Sequence, residues 1–168
     1  MKIAVLGAGT WGSALTILLN NNGHELTLWT AVEKEFNELN DTRTVKNLKG
    51  VKLDDRIKLT NDISSACKDK ELIVFAVASP YVRITAKKAA PFINRKIPVV
   101  NVAKGIEEDT LMTLTEIIES EFEADNGDKG IVTVLSGPSH AEEVSIGMPT
   151  TAVVEAKSRD IEIGRAHV

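Results

Sequence analysis

Four short segments gather the residue types that could do chemistry. Gly7-Ala8-Gly9-Thr10-Trp11-Gly12 follows the apolar run Ile3-Ala4-Val5-Leu6 and opens a helix-favouring stretch. G-x-G-x-x-G between a strand and a helix lets the backbone approach a pyrophosphate. Gly7 would allow the tight turn, Gly9 the close approach, and Gly12 the packing of helix on strand. The helix N-terminus then offers free N–H groups to the phosphates. Lys104 stands in Asn101-Val102-Ala103-Lys104-Gly105, directly after another apolar run. A cation there could bind a phosphate or orient a substrate hydroxyl, and by position alone it could equally be a solvated surface charge. Ser136-Gly137-Pro138-Ser139 follows Ile131–Leu135, and Val77-Ala78-Ser79-Pro80 follows the apolar run that starts at Leu72.

The elements that must position these segments are legible as an alternation. Ile3–Leu6, Glu25–Trp29, Leu72–Val77, Pro98–Val102 and Ile131–Leu135 read as strands, with Ile57–Thr60 and Thr151–Val154 as shorter ones. Leu72–Val77 shows no polar alternation, as a parallel strand covered on both faces requires. Helices are expected over Trp11–Asn22, Ala31–Leu39, a short segment capped by Asp62, a segment starting near Pro80, one from a Thr110 cap to Phe122, and one from Ser139 to Val144. Strand–helix alternation predicts an α/β fold with a doubly wound, mainly parallel sheet of Rossmann type. Ligands bind such sheets beyond the carboxyl ends of the strands, where all four segments fall.

Composition narrows the classes. A length of 168 residues suits one domain, expected over residues 1–161. The formal net charge of −4 argues against bulk affinity for nucleic acid. No apolar run reaches the ~18 residues that span a bilayer, so no membrane insertion is expected. The start of the chain reads as a strand rather than a targeting segment. Cys67 is the single cysteine, which excludes an internal disulfide and suits the cytosol. No metal site is expected. Arg83, Lys87, Lys88, Arg95 and Lys96 read as a solvated charged face. His24 reads as a turn residue and His140 as packing or rim.

A dinucleotide domain usually carries an acidic residue about 20 positions beyond the glycines, at the end of the second strand, to bind the ribose 2′-hydroxyl. Here Trp29 is followed by Thr30 and Ala31, neither an acid nor an arginine. Glu33 and Lys34 come slightly late for either role, and Glu33 reads as a solvated helix residue. The choice between NAD and NADP stays open.

Taken together, Gly7–Gly12, Ala103-Lys104-Gly105-Ile106-Glu107 and Leu135-Ser136-Gly137-Pro138-Ser139-His140-Ala141-Glu142-Glu143 resemble the NAD(P)-dependent glycerol-3-phosphate dehydrogenases of bacteria. The resemblance runs to about Glu155. It implies interconversion of dihydroxyacetone phosphate and sn-glycerol 3-phosphate by hydride transfer, supplying glycerophospholipid synthesis. It implies that Gly7, Gly9, Thr10, Trp11, Gly12, Lys104 and Ala141 meet the cofactor, NAD or NADP. It further implies that Lys104, Gly137 and Ser139 meet the substrate, with Lys104 stabilising the charge that develops during hydride transfer. The full-length protein is expected to be a cytoplasmic homo-oligomer. Two departures stand out: Ala78-Ser79 where the family often has Pro-Ser, and Thr30-Ala31 where it often has a basic residue. The alternatives are a non-catalytic dinucleotide sensor, or another two-domain dehydrogenase of similar plan. A sensor would not need the Lys104 and Ser136–Ser139 segments.

Family members continue into a helical domain that supplies a general-base lysine and much of the substrate site. This chain is expected to stop short of that domain and not to turn over by itself. Its final Glu162-Ile163-Gly164-Arg165-Ala166-His167-Val168 is unlike the family. It reads back as GAG ATC GGA AGA GCA CAC GT, a string resembling a sequencing adapter. Residues 162–168 are therefore expected to be an artefactual or disordered tail.

Overall fold

The computed structural model describes residues 1–48, 50–137 and 140–156. Ser139 and the 162–168 tail lie outside the described residues. Five main strands form as the sequence predicts: β1 (Lys2–Leu6), β2 (Glu25–Trp29), β4 (Leu72–Phe75), β5 (Pro98–Asn101) and β6 (Ile131–Ser136). The short β3 (Lys58–Thr60) and β7 (Val153–Glu155) complete a seven-stranded sheet ordered β3-β2-β1-β4-β5-β6-β7. Every pairing is parallel except that of β7, which runs antiparallel to β6.

Successive side chains of a strand point to opposite faces, and β1 feeds two cores in this way. Ile3 and Val5 join one cluster, which α1 (Thr10–Asn21) covers with Ala14 and Ile17. Ala4 and Leu6 join the other. There α4 (Val82–Ala89) contributes Ala86, and α5 (Leu114–Asn126) contributes Ile117, Ile118 and Phe122. In β4, Leu72 and Val74 divide from Ile73 and Phe75 in the same fashion. A strand buried on both sides cannot alternate with polar residues, so these runs are continuously apolar.

The register brings the strand ends level. Leu6 lies opposite both Trp29 and Phe75, and Phe75 lies opposite Asn101. The chain leaves β1 toward β2 and β3, then returns through β4 on the other side of β1. This reversal opens a crevice beyond the carboxyl ends of β1 and β4, where ligands of doubly wound sheets bind.

Several local expectations are corrected. The cap of α5 is Thr113, not Thr110. Thr113 accepts from the Glu116 amide at 3.3 Å while the Glu116 carboxylate accepts from the Thr113 amide at 2.8 Å. A capping box needs Glu or Gln three residues after the cap, which Thr113 has and Thr110 lacks. Helix α2 runs Glu33–Thr42 and α6 runs Ala141–Ser145, the expected start at Ser139 lying outside the described residues. Asp62 does cap the short α3 (Ile63–Cys67). Cys67 at its end is buried, and desolvation pushes its thiol up to about 12, which leaves it inert.

The charged face is not uniformly solvated. Arg95 is only 7% exposed. Its guanidinium donates to the carbonyls of Ala90, Ile93 and Asp128, pairs with Asp125 at 3.0 Å, and lies 4.1 Å from the Phe122 ring centre. It ties the end of α4 to the α5–β6 turn. Arg83 ties α4 to the segment after β5. It grips the Glu107 carboxylate with two nitrogens at 2.7 and 2.5 Å, and Glu121 of α5 with the third at 2.6 Å. Thr110 donates to the same Glu107 carboxylate at 2.6 Å. The Arg83 guanidinium, with the Thr110 hydroxyl, holds the Glu107 carboxyl down to about 2. Within this clamped segment Ile106 pairs with Thr113, and Gly105 takes a φ of 119° that other residues rarely adopt.

Both arginines give testable consequences. Arg95→Ala leaves three carbonyls and a carboxylate without their donor and should lower stability by about 3 kcal/mol in urea denaturation; a loss near zero would mean the contacts are dispensable. Arg83→Met should raise hydrogen exchange of the 105–111 amides by about tenfold while leaving β1 and β4 protected. The clamp is an ion pair whose carboxyl is depressed. Its contribution is therefore complete above the ordinary carboxylate range and is lost progressively as pH falls from that range through about 2, so protection of the 105–111 amides should show no step between pH 7 and pH 6 and should weaken below about pH 4.

Candidate functional site

The glycine turn is shaped by close packing at two of its three glycines. A Cβ on Gly7 would meet the backbone of Ala76 and Val77 at 2.7 Å. A Cβ on Gly12 would fall 1.9 Å from the Gly7 carbonyl oxygen. Gly7 also holds a φ of 122° while its amide donates to the Trp29 carbonyl at 2.9 Å. Gly9 differs. It is the N-cap of α1 with extended backbone, and a Cβ there would meet no protein atom within 4 Å. Protein packing therefore does not explain the absent side chain at Gly9. It is where an approaching ligand would need the space, and a pyrophosphate on the first amides of α1 fits the requirement. The first turn of α1 holds no acidic residue to oppose it.

A cleft of about 440 Å³ opens at the crevice between the strand ends. Its walls come from Gly9, Thr10 and Trp11, from Ala76–Ser79 after β4, from Val102–Lys104 after β5, and from His140 and Ala141 at the start of α6. The fold thus brings Gly9, Thr10, Trp11, Lys104 and Ala141 to one cavity. Trp11 is half-buried and packs on the core with one side. Gly7 and Gly12 stand behind the cleft as packing positions. His140 is an exposed rim residue. His24 lies at the opposite end of β1, its Nδ1 3.5 Å from the Met1 amino group.

Lys104 is solvent-exposed, and its Nζ donates to the Gly137 carbonyl at 2.9 Å. The ammonium therefore sits between the segments after β5 and β6 rather than free in solvent. A Cβ on Gly137 would meet the Thr151 carbonyl oxygen at 2.5 Å, so packing against the 151–152 backbone accounts for this glycine. Gly137 does not line the cleft; its carbonyl meets the residue that does.

A second hollow of about 260 Å³ continues from the glycine turn toward α2, lined by Ala8–Thr10, Val32, Glu35, Lys46 and Asn47 among others. Two residues here were not singled out in the sequence. Asn47 donates to the Thr10 hydroxyl at 3.1 Å, and Glu35 accepts from the Thr30 hydroxyl. Glu33, by contrast, is exposed in the first turn of α2. No local pattern marks Asn47, which reaches Thr10 across 37 residues of chain. Another hollow of about 660 Å³ lies at the far end of α1, between Asn20, Arg43, Lys52 and Asp54. It has no glycine turn and lies away from the strand carboxyl ends, so it lacks the features of a phosphate site. Among the described residues no helix is long and apolar enough to cross a membrane, and no group of acidic, histidine or cysteine residues could hold a metal ion.

Comparison with known proteins gives one family. Residues 2–162 match the family model described as NAD-dependent glycerol-3-phosphate dehydrogenase N-terminus. A glycerol-3-phosphate dehydrogenase [NAD(P)+] of Lactobacillus delbrueckii subsp. bulgaricus is 54% identical over 154 residues, covering 90% of this chain and 45% of the relative. That of Bacillus subtilis is 40% identical over 158 residues, covering 94% and 45%. The chain thus spans about half the length of the curated relatives it matches. The crystal structure of glycerol-3-phosphate dehydrogenase from Coxiella burnetii superposes with a TM-score of 0.87 at 24% identity, over 97% of this chain and 49% of that one. The fold is also shared with a ketopantoate reductase from Ralstonia eutropha, at a TM-score of 0.61 and 18% identity, so architecture alone would not separate these dehydrogenases. The family match over nearly the whole chain does: the chain belongs to the NAD-dependent glycerol-3-phosphate dehydrogenase N-terminal family.

Proposed function

We propose that this chain is the dinucleotide-binding half of an NAD(P)-dependent glycerol-3-phosphate dehydrogenase, a cytoplasmic enzyme that interconverts sn-glycerol 3-phosphate and dihydroxyacetone phosphate for glycerophospholipid synthesis. The observation that carries the reading is Gly9, whose missing side chain opens onto the cleft at the start of α1 with Lys104 across from it. Gly9 and the first amides of α1 bind the pyrophosphate. Thr10, Trp11 and Ala141 flank the dinucleotide, which supplies or accepts the hydride when bound. Lys104, anchored by the Gly137 carbonyl, would direct its ammonium toward the substrate oxygen on which negative charge grows during reduction. Ser139 contributes a hydroxyl to the substrate. Gly137 acts through its carbonyl, which orients Lys104. The general base and the remaining phosphate anchors belong to the helical half of the full-length enzyme, which works as a homo-oligomer.

Two substitutions test this. Gly9→Val directs a branched side chain into the pyrophosphate position, where no protein atom obstructs it. In a titration of reduced nicotinamide fluorescence the variant should lose affinity by about 100-fold or more with its fold intact; unchanged affinity would remove the site. For Lys104, the domain is joined to the helical half of a full-length homologue. Lys104→Ala should then lower kcat/KM by ~10²–10³. A loss under about threefold would make Lys104 a surface charge only.

A further inference from the structure

The end of β2 bears on which dinucleotide enters. The residue just beyond this strand meets the adenosine ribose in doubly wound folds, where an acid takes the 2′-hydroxyl and an arginine takes a 2′-phosphate. Thr30 occupies the position here, 5% exposed, and is neither. Folding supplies what the position lacks. The chain turns at once into α2, and the third residue of that helix, Glu35, comes back over the strand end. The Thr30 hydroxyl donates to Glu35 Oε2 and accepts from the Val32 amide at 3.2 Å. Both capacities of the hydroxyl are therefore used in fixing the carboxylate. Glu35 Oε1 has no protein donor among the described residues, and the half-buried side chain lines the hollow that continues from the glycine turn.

Among the described residues two lysines, Lys34 and Lys46, line the same hollow. Lys34 points into solvent, its ammonium 3.9 Å from Glu38. Lys46 is exposed on the wall of the hollow, one residue before Asn47, whose amide donates to the Thr10 hydroxyl. The β2 end presents a fixed carboxylate oxygen and no arginine. A ribose 2′-hydroxyl can donate to that oxygen. A 2′-phosphate can only set negative charge against it.

We propose that Glu35, positioned by Thr30, makes this domain select the unphosphorylated dinucleotide, NAD(H), over NADP(H). The proposal rests on the dinucleotide-binding function given above. It assigns the acid of the ribose site to the first turn of α2 rather than to the strand end.

The test is a pair of titrations of the 168-residue chain, with NADH and with NADPH, followed by nicotinamide fluorescence. NADH should bind more tightly by about tenfold or more. Glu35→Gln keeps the shape and the bond from Thr30 but removes the charge, and should bring the two affinities within about threefold, mainly by improving NADPH. Lys46→Ala should weaken both nucleotides alike. Equal or tighter binding of NADPH by the unaltered chain overturns the proposal, as does an unchanged ratio in Glu35→Gln. A loss confined to NADPH in Lys46→Ala overturns it too, since Lys46 would then be holding the 2′-phosphate. An unaltered chain that binds neither nucleotide overturns the dinucleotide function itself and the selection with it, whereas one that binds both equally leaves the function standing and removes only the selection.

Discussion

Helix α1 can begin over the end of β1 because no side chain separates Gly12 from Gly7, or Gly7 from the backbone of Ala76 and Val77. These contacts join three elements at one point: the turn after β1, the first turn of α1 and the exit of β4. Any Cβ at Gly12 would force the helix away from the strand. The free amides of its first turn would then no longer face the crevice. The two buried cores hold the same arrangement from either side of the sheet, since β1 and β4 each send alternate side chains into both. Packing therefore sets the position of the first amides of α1, and the third glycine, Gly9, is left with open space beside it.

Around this point the charges are arranged by partners distant in sequence. The segment carrying Lys104 is held from below by Arg83 through Glu107, and its ammonium is held from above by the Gly137 carbonyl. A long flexible cation gains directional value only when both ends of its tether are fixed. On the other side of the glycine turn the Thr30–Glu35 bond fixes an anion in the same way. A carboxylate thus stands at the β2 end, free helix amides at the glycine turn, and an ammonium after β5. That polarity suits a ligand with sugar hydroxyls at one end and a phosphorylated substrate beyond the other.

The strands, their parallel order and the glycine turn were legible because each depends on local pattern: unbroken apolar runs, and glycines at fixed spacing between a strand and a helix. The Thr113 cap was equally legible through Glu116, though Thr110 drew the eye first. Arg83 and Arg95 were not. A charged residue in an amphipathic stretch reads as solvated until the fold supplies Glu107, Glu121, Asp125 and Phe122 from 24 or more residues away. Glu35, proposed above for the ribose, is not marked in the sequence for a related reason. The ribose acid is sought at the end of the strand, and only the turn of the chain into α2 brings this side chain back to that end. Gly137, expected as a substrate contact, also packs closely on the 151–152 backbone, a constraint no local pattern announces.

The central claim is that dinucleotide binds at the glycine turn, on the carboxyl side of the sheet. An amide nitrogen–proton correlation spectrum of the labelled chain, recorded while NADH is added, tests it most directly. The account predicts saturable shifts at Gly7–Gly12, Ala76–Ser79 and Ala103–Gly105, with the far end of α1 silent. Shifts concentrated instead around Asn20, Arg43 and Asp54, with the glycine turn unmoved, would contradict it.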